Sequence, residues 1–223
     1  MFDRTISLIG EEKFKYIQSK TVLRVGLGGV GGYATESLVR SGIKNIILID
    51  HDTIDITNIN RQIISTNKNI GNVKAEEFKK RILDINPDCN VITHKLFLDR
   101  TNYNLLDNYK IDYIIDCCDS VDTKKLLIDY SLEKDIKLIS SMGTANKLDP
   151  TKLQIVDIRK TSYDPLAKIL RKYVNDKKIN KKIIVVSSTE EPIKNKNLST
   201  MIFVPATAGL LCSQYVIKDI INS

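Results

Sequence analysis

Histidine is almost absent from this 223-residue chain: only His51 and His94 occur, too few for a histidine metal cluster. The four cysteines, Cys89, Cys117, Cys118 and Cys212, contain no CxxC pair, which excludes a cysteine-only zinc site. Two of them are neighbours that would bridge only under strain, so no disulfide framework is expected and a reducing compartment, the cytoplasm, fits. Long apolar runs are missing too. The longest candidate, residues 201–217, is broken by Pro205, Ser213 and Gln214, so neither a signal peptide nor a membrane span is expected. Apolar residues are not scarce, however. With 42% hydrophobic and 27% charged residues, the chain has the composition of a globular protein, and its length favours one extended domain over two small ones.

The net charge of +7 has an address. Residues 159–182 hold nine basic side chains (Arg159, Lys160, Lys168, Arg171, Lys172, Lys177, Lys178, Lys181 and Lys182) against Asp164 and Asp176, while the rest of the chain balances 25 basic with 25 acidic residues. A local excess of this kind points to a polyanion partner more strongly than the same charge spread evenly. The plainer alternative is a solvated helix face.

Apolar runs alternate with helical patterns, which predicts an α/β protein with a mostly parallel sheet wrapped in helices. Residues 21–27 read as a first strand, followed by glycines and a helix ending near Gly42. Residues 45–50 (NIILID) form a continuous apolar run, as expected of a strand buried on both faces. A helix over 72–85 stops before Asn86-Pro87. Strands follow at 90–95, 112–117 and 136–141, with a helix over 121–134. Further on, 153–158 alternates like a half-exposed strand. Asp164 then caps a helix that begins at Pro165. Its spacing puts Leu166, Ile169, Leu170, Tyr173 and Val174 on one face and turns Lys168, Arg171 and Lys172 outward. A strand over 182–187, a polar loop over 188–199 and an apolar helix over 205–221 complete the chain.

Gly26-Leu27-Gly28-Gly29-Val30-Gly31 fits G-x-G-x-x-G at a strand-to-helix corner. Glycines there permit the tight turn and let backbone amides approach a phosphate at the helix N-terminus. Asp50 follows Gly31 by 19 residues, at a strand end where a carboxylate can accept ribose hydroxyls. These features indicate a nucleotide without choosing between NAD and ATP. The choice comes from downstream residues. Asn58, Asn60, Arg61 and Gln62 lie just past the second strand, Lys74 begins the next helix, and Asp119-Ser120 follows the fourth strand. In an open parallel sheet these strand ends line one crevice. Cations on phosphates and a carboxylate for magnesium suit phosphoryl or nucleotidyl transfer; a dehydrogenase has no need of them. Each residue has a duller reading: Asp119 with Ser120 as a helix cap, Lys74 as a surface lysine, Arg61 as a loop anchor. Their common location argues against all three at once.

GLGGVG, LID, NINRQ, Lys74 and the D-x-x-D of Asp116 and Asp119 resemble the nucleotide-binding core of the enzymes that adenylate ubiquitin and sulfur carriers, the ThiF/MoeB-like superfamily. The resemblance implies a Rossmann-like, open twisted, mostly parallel sheet with helices on both faces and a C-terminal extension of the sheet. Residues 1–223 are then one adenylating domain: a nucleotide-binding core over 1–150, then an extension over 151–223 with the basic helix and the final apolar helix. It implies ATP held by Gly26, Gly28, Gly29, Gly31, Asp50, Asn58, Asn60, Gln62 and Ser120, phosphates bound by Arg61 and Lys74, and magnesium placed by Asp119. Arg4 matches an arginine that reaches across a homodimer to the triphosphate.

Two departures narrow the family. The paired CxxC zinc site usual in sulfur-carrier activators is absent, and residues 188–200 lack the cysteine that thioester transfer would need. Cys212 lies among apolar residues, where cysteine usually packs. The segments SMGTANKLDPT (with Ala145 where a glycine is usual), KTSYDPLAKILRK, EEPIK and FVPATAGLL resemble bacterial tRNA threonylcarbamoyladenosine dehydratases. That implies ATP-dependent cyclisation of N6-threonylcarbamoyladenosine beside the anticodon through an acyl-adenylate. The partner is then tRNA, expected on Lys168, Arg171, Lys172, Lys177, Lys178, Lys181 and Lys182. The alternative within the superfamily is an adenylyltransferase for the C-terminal glycine of a ubiquitin-like sulfur carrier. Outside it stand an NAD-dependent dehydrogenase and a tRNA-binding module with a degenerate ATP site. Two matters stay open: a monovalent cation, potassium or sodium, at the Gly143 turn, and a cysteine desulfurase or sulfur-acceptor partner.

Overall fold

The chain opens in two short helices, α1 (Asp3–Ile9) and α2 (Glu11–Gln18), separated by Gly10, whose φ of 87° favours glycine. Strand and helix then alternate through β1 (Thr21–Val25), α3 (Gly31–Arg40), β2 (Asn45–Ile49), α4 (Lys74–Ile85), β3 (Asn90–His94), β4 (Tyr113–Asp116), α5 (Val121–Glu133) and β5 (Lys137–Ser141). The remainder adds β6 (Leu153–Asp157), α6 (Pro165–Asp176), β7 (Ile184–Ser188) and α7 (Phe203–Ile221). This is a computed structural model, and it describes residues 1–223.

The seven strands form one sheet in the order β3-β2-β1-β4-β5-β7-β6. All neighbours pair in parallel except β6, which closes the edge antiparallel to β7. Strand order reverses between β1 and β4, so a crevice opens there beyond the carboxyl ends of the strands. Side chains alternate across the pleat. Val22 and Ile115 join a core beneath α3, α4 and α7, whereas Leu23, Val25 and Ile114 join another beneath α5 and α6. Helices therefore cover both faces, which is why the inner strands read as unbroken apolar runs. No helix is long and apolar enough to cross a membrane.

Several boundaries move for identifiable reasons. β1 stops at Val25 because Gly26 turns the chain with φ of 83°. α4 starts at Lys74 rather than 72, since Val73 is held extended by its bridge to Thr53. Residues 1–20, which carried no helix expectation, form α1 and α2. The face expected for α6 needs correction: Ala167, Leu170 and Val174 are buried, while Ile169 is 47% exposed. The cap sets that rotation. Asp164 accepts the Ala167 amide at 3.0 Å through Oδ1 and the Gly143 amide at 2.7 Å through Oδ2, so the helix is tethered to the turn after β5.

Candidate active site

A cavity of about 310 Å³ lies at the carboxyl ends of the parallel strands. One wall is the glycine loop. A Cβ at Gly26 would stand 2.7 Å from the Cys117 carbonyl carbon and one at Gly31 would stand 1.9 Å from the Gly26 oxygen, so both positions exclude side chains. Gly28, Gly29 and Val30 face the cavity. No side chain caps α3, so its N-terminal dipole is left to whatever enters. Asp50 holds the loop shut from below, accepting the Leu27 amide at 2.6 Å and the Asp52 amide at 2.8 Å. It also lines the cavity, where its remaining lone pairs are available.

The opposite wall begins with a capping box between Asp55 and Asn58. From there the chain turns so that Asn58, Arg61 and Gln62 line the cavity. Gln62 is buried, and its Oε1 has no hydrogen-bond partner. An orphaned acceptor at a cavity wall fits a ligand donor. Arg61 donates through Nη1 to the Thr57 carbonyl at 2.8 Å and to Asn60 Oδ1 at 2.9 Å. Lys74 is 3% exposed, and its ammonium donates to Asp52 at 2.8 Å. Asp119 completes the rim, exposed and without a protein partner.

Four residues expected to meet the ligand are not part of the lining. Ser120 is the cap of α5, its hydroxyl accepting the Thr123 amide at 3.2 Å; the capping role falls on Ser120 and leaves Asp119 free. Asn60 Nδ2 donates instead to the Thr200 carbonyl at 3.0 Å, latching the loop before α7. Gly31 serves helix–strand packing. Arg4 sits exposed on α1, which packs on α2 at the opposite end of the sheet, so this chain's own Arg4 does not reach its cavity.

Other lining residues escaped sequence reasoning: His51, Asp52, Leu96, Phe97, Leu98, Cys117, Cys118, Thr144 and Thr200. Asp52 had a readable signal, because residues 50 and 52 project to the same side at a strand end. His51 packs edge-on against Phe97, 5.2 Å between centroids, a contact that needs β2 and β3 side by side. Cys118 donates to Asp116 at 2.9 Å, and burial together with that carboxylate pushes its thiol up. Below the turn after β5, burial holds the Lys147 ammonium down; it donates to the Gly143 carbonyl at 3.0 Å. Cys212 is fully buried.

The basic segment divides. Lys168, Lys172, Lys178 and Lys182 are exposed and make no ion pair, whereas Lys177 pairs with Asp129 at 2.8 Å and Lys181 pairs with Asp135. Arg171, expected to point outward, is half-buried and donates to the Thr161 carbonyl at 2.8 Å. Lys168 lies one turn from Asp164 and hence near the Gly143 end. Residues 177–182 lie beyond the far end of α6, roughly 18 Å further along for its twelve residues.

A glycine loop closing on a helix N-terminus, a carboxylate at the next strand end and two cations in one crevice define a nucleotide-binding α/β protein of the adenylating type. The chain belongs to the ThiF family, whose model matches residues 2–222. Among curated relatives it is similar to the tRNA threonylcarbamoyladenosine dehydratase of Bacillus subtilis, 39% identical over 240 aligned residues that cover 99% of this chain and 94% of that one. Among solved structures it resembles the Escherichia coli tRNA N6-threonylcarbamoyladenosine dehydratase in complex with ATP, with a TM-score of 0.94, 35% identity, and coverage of 99% of this chain and 93% of that one. The same enzyme in complex with AMP gives a TM-score of 0.93 at 35% identity, covering 98% and 93%.

Proposed function

We propose that this chain is an ATP-dependent tRNA N6-threonylcarbamoyladenosine dehydratase. The observation that carries the reading is the convergence of the uncapped α3 N-terminus, Arg61, Lys74 and Asp119 on one cavity. The named relatives, matched along nearly their whole length, supply the substrate class. A threonyl carboxylate is anionic, and oxide is a poor leaving group, so the acid needs activation. Its attack on the α-phosphate of ATP yields an acyl-adenylate and pyrophosphate. The carbamoyl group on the same nucleoside then displaces AMP and closes a five-membered ring, with loss of water overall. That second step is intramolecular and needs no enzyme nucleophile.

Arg61 and Lys74 balance the charge that grows on the phosphates as the carboxylate attacks. Asp119, a free carboxylate at the rim, suits a hard divalent cation, and magnesium bound there would supply further charge neutralisation. Arg4 would enter from a second copy of the chain, making the homodimer the complete unit. Lys168 and Lys172, exposed and unpaired on α6, would hold tRNA phosphates. A cytoplasmic location, where ATP and tRNA meet, goes with this reading. The test is AMP release by the purified protein with ATP, magnesium and threonylcarbamoylated tRNA. AMP and a cyclised base are expected; AMP formed only with a ubiquitin-like carrier protein in place of tRNA would overturn the assignment.

A further inference from the structure

Four cations are buried in this protein: Arg24, Lys74, Lys124 and Lys147. Three of them stand 3.9 Å or less from a carboxylate. Arg24 has none. Its guanidinium is fully buried on β1 and is spent on neutral oxygens: Nε donates to Thr35 Oγ1 at 3.2 Å, Nη1 to the Ile115 carbonyl at 2.7 Å and Nη2 to the Gly31 carbonyl at 2.9 Å. Cys117 Sγ lies 3.6 Å from Nη1 and 3.5 Å from Nη2. Burying a guanidinium away from any carboxylate is costly, and hydrogen bonds to neutral oxygens repay it poorly. An apolar residue such as methionine would fill the same strand position at no such cost.

Position supplies the reason for keeping the charge. Arg24 precedes Val25 and Gly26, which line the cavity, and it grips Gly31 at the other end of the glycine loop. It is itself absent from the lining, so it touches no ligand. A buried positive charge therefore sits against the Gly31 carbonyl, at the helix end of the glycine loop, in a medium where charge is weakly screened. We propose that Arg24 is a positioning residue for phosphates: an internal cation that raises affinity for the polyphosphate nucleotide above that for its uncharged nucleoside while pinning the loop through Gly31. This rests on the ATP reading given above and deepens it.

Dissociation constants for ATP and adenosine, measured calorimetrically on the full chain, test it. Arg24→Met is expected to weaken ATP about tenfold, the size of one charge contact at an intermediate dielectric, and to change adenosine less than about twofold. Arg24→Lys should recover most of the ATP affinity. Should Arg24→Met not fold, Thr35→Asp carries the test. It sets a carboxylate against Nε from α3, cancelling the charge while keeping the guanidinium, and should weaken ATP with adenosine unchanged; Thr35→Asn, of the same shape, should not. Equal losses for ATP and adenosine in Arg24→Met would reduce Arg24 to scaffolding and overturn the inference. So would a folded Thr35→Asp with unchanged ATP affinity. A parent chain that binds neither ATP nor adenosine would instead overturn the nucleotide reading beneath it.

Discussion

Lys74 stands 2.8 Å from Asp52, and Lys124 stands 2.9 Å from Asp116. By length and composition these ion pairs are twins, and both lysines are buried. They differ in what else each ammonium touches. Lys124 donates to Asp116, to Ser140 Oγ at 3.0 Å and to the Ser141 carbonyl at 2.9 Å, which uses all three of its protons. It ties β4 and β5 to α5 and has nothing left to offer. Lys74 donates to Asp52 alone, a carboxylate still about half exposed, and Lys74 lines the cavity. Two of its protons remain for a guest. Unused donor capacity beside open space separates the binding lysine from the structural one.

The largest effect is expected at the saturated pair. Lys124→Met leaves the Asp116 carboxylate buried without a cation, which should cost about 3–5 kcal/mol of stability, read as a lower urea midpoint. Turnover per folded molecule should stay near that of the parent; a fall of a hundredfold would erase the distinction between the two pairs. The pair also has a pH signature. Burial pulls Lys124 down, but Asp116 and the neighbouring thiols outweigh it and raise the ammonium above the ordinary lysine value. A raised lysine stabilises fully below the unfolded pKa, about 10.4, and loses its contribution only as pH climbs through the folded value. The variant should lack this alkaline loss.

Lys74→Met should reverse the pattern. Its partner Asp52 can be solvated, so stability should shift by about 1 kcal/mol or less. Removing a cation that faces developing phosphate charge should cost roughly 10²–10³ in AMP formation. Rate assays beside urea titrations on the same preparations check both halves. Turnover within about threefold of the parent would move Lys74 into the structural class with Lys124.

How far these roles could be read in advance depends on how local they are. The glycine loop, Asp50 and Lys74 were legible because each lies at a strand or helix end, and spacing alone locates such ends. The mostly parallel sheet, whose strand ends share one crevice, followed from the alternation of strands and helices, whereas the strand order came only with the structure. Arg24 was not legible: inside TVLRV it reads as one residue of a strand, and only the packing of α3 supplies Thr35 and Gly31 as its acceptors. Ser120 and Asp119 are equally good caps by type, so the backbone at the start of α5 had to choose between them. Ile169 fits an apolar stripe by periodicity, yet the Asp164–Gly143 tether turned Ala167 inward instead. The lining residues from 96 to 98 have no signal of their own, since they matter only because β3 ends beside β2.

A third class of lysine gives the smallest effect. Lys168 and Lys172 are exposed on α6 and pair with nothing, while Lys177 and Lys181 are already held by Asp129 and Asp135. A lysine that must leave a carboxylate to meet a phosphate gains less from the exchange than one leaving water. Replacing both Lys168 and Lys172 with glutamine should therefore flatten the slope of log affinity against log salt for tRNA by about one to two units. The double replacement at Lys177 and Lys181 should flatten it by less. Filter binding at a series of salt concentrations measures both. ATP affinity should be unchanged in each variant, because none of the four lysines lines the cavity. If the paired lysines prove the more sensitive, tRNA lies toward the far end of α6, and the free-donor rule drawn from Lys74 and Lys124 does not extend to the surface.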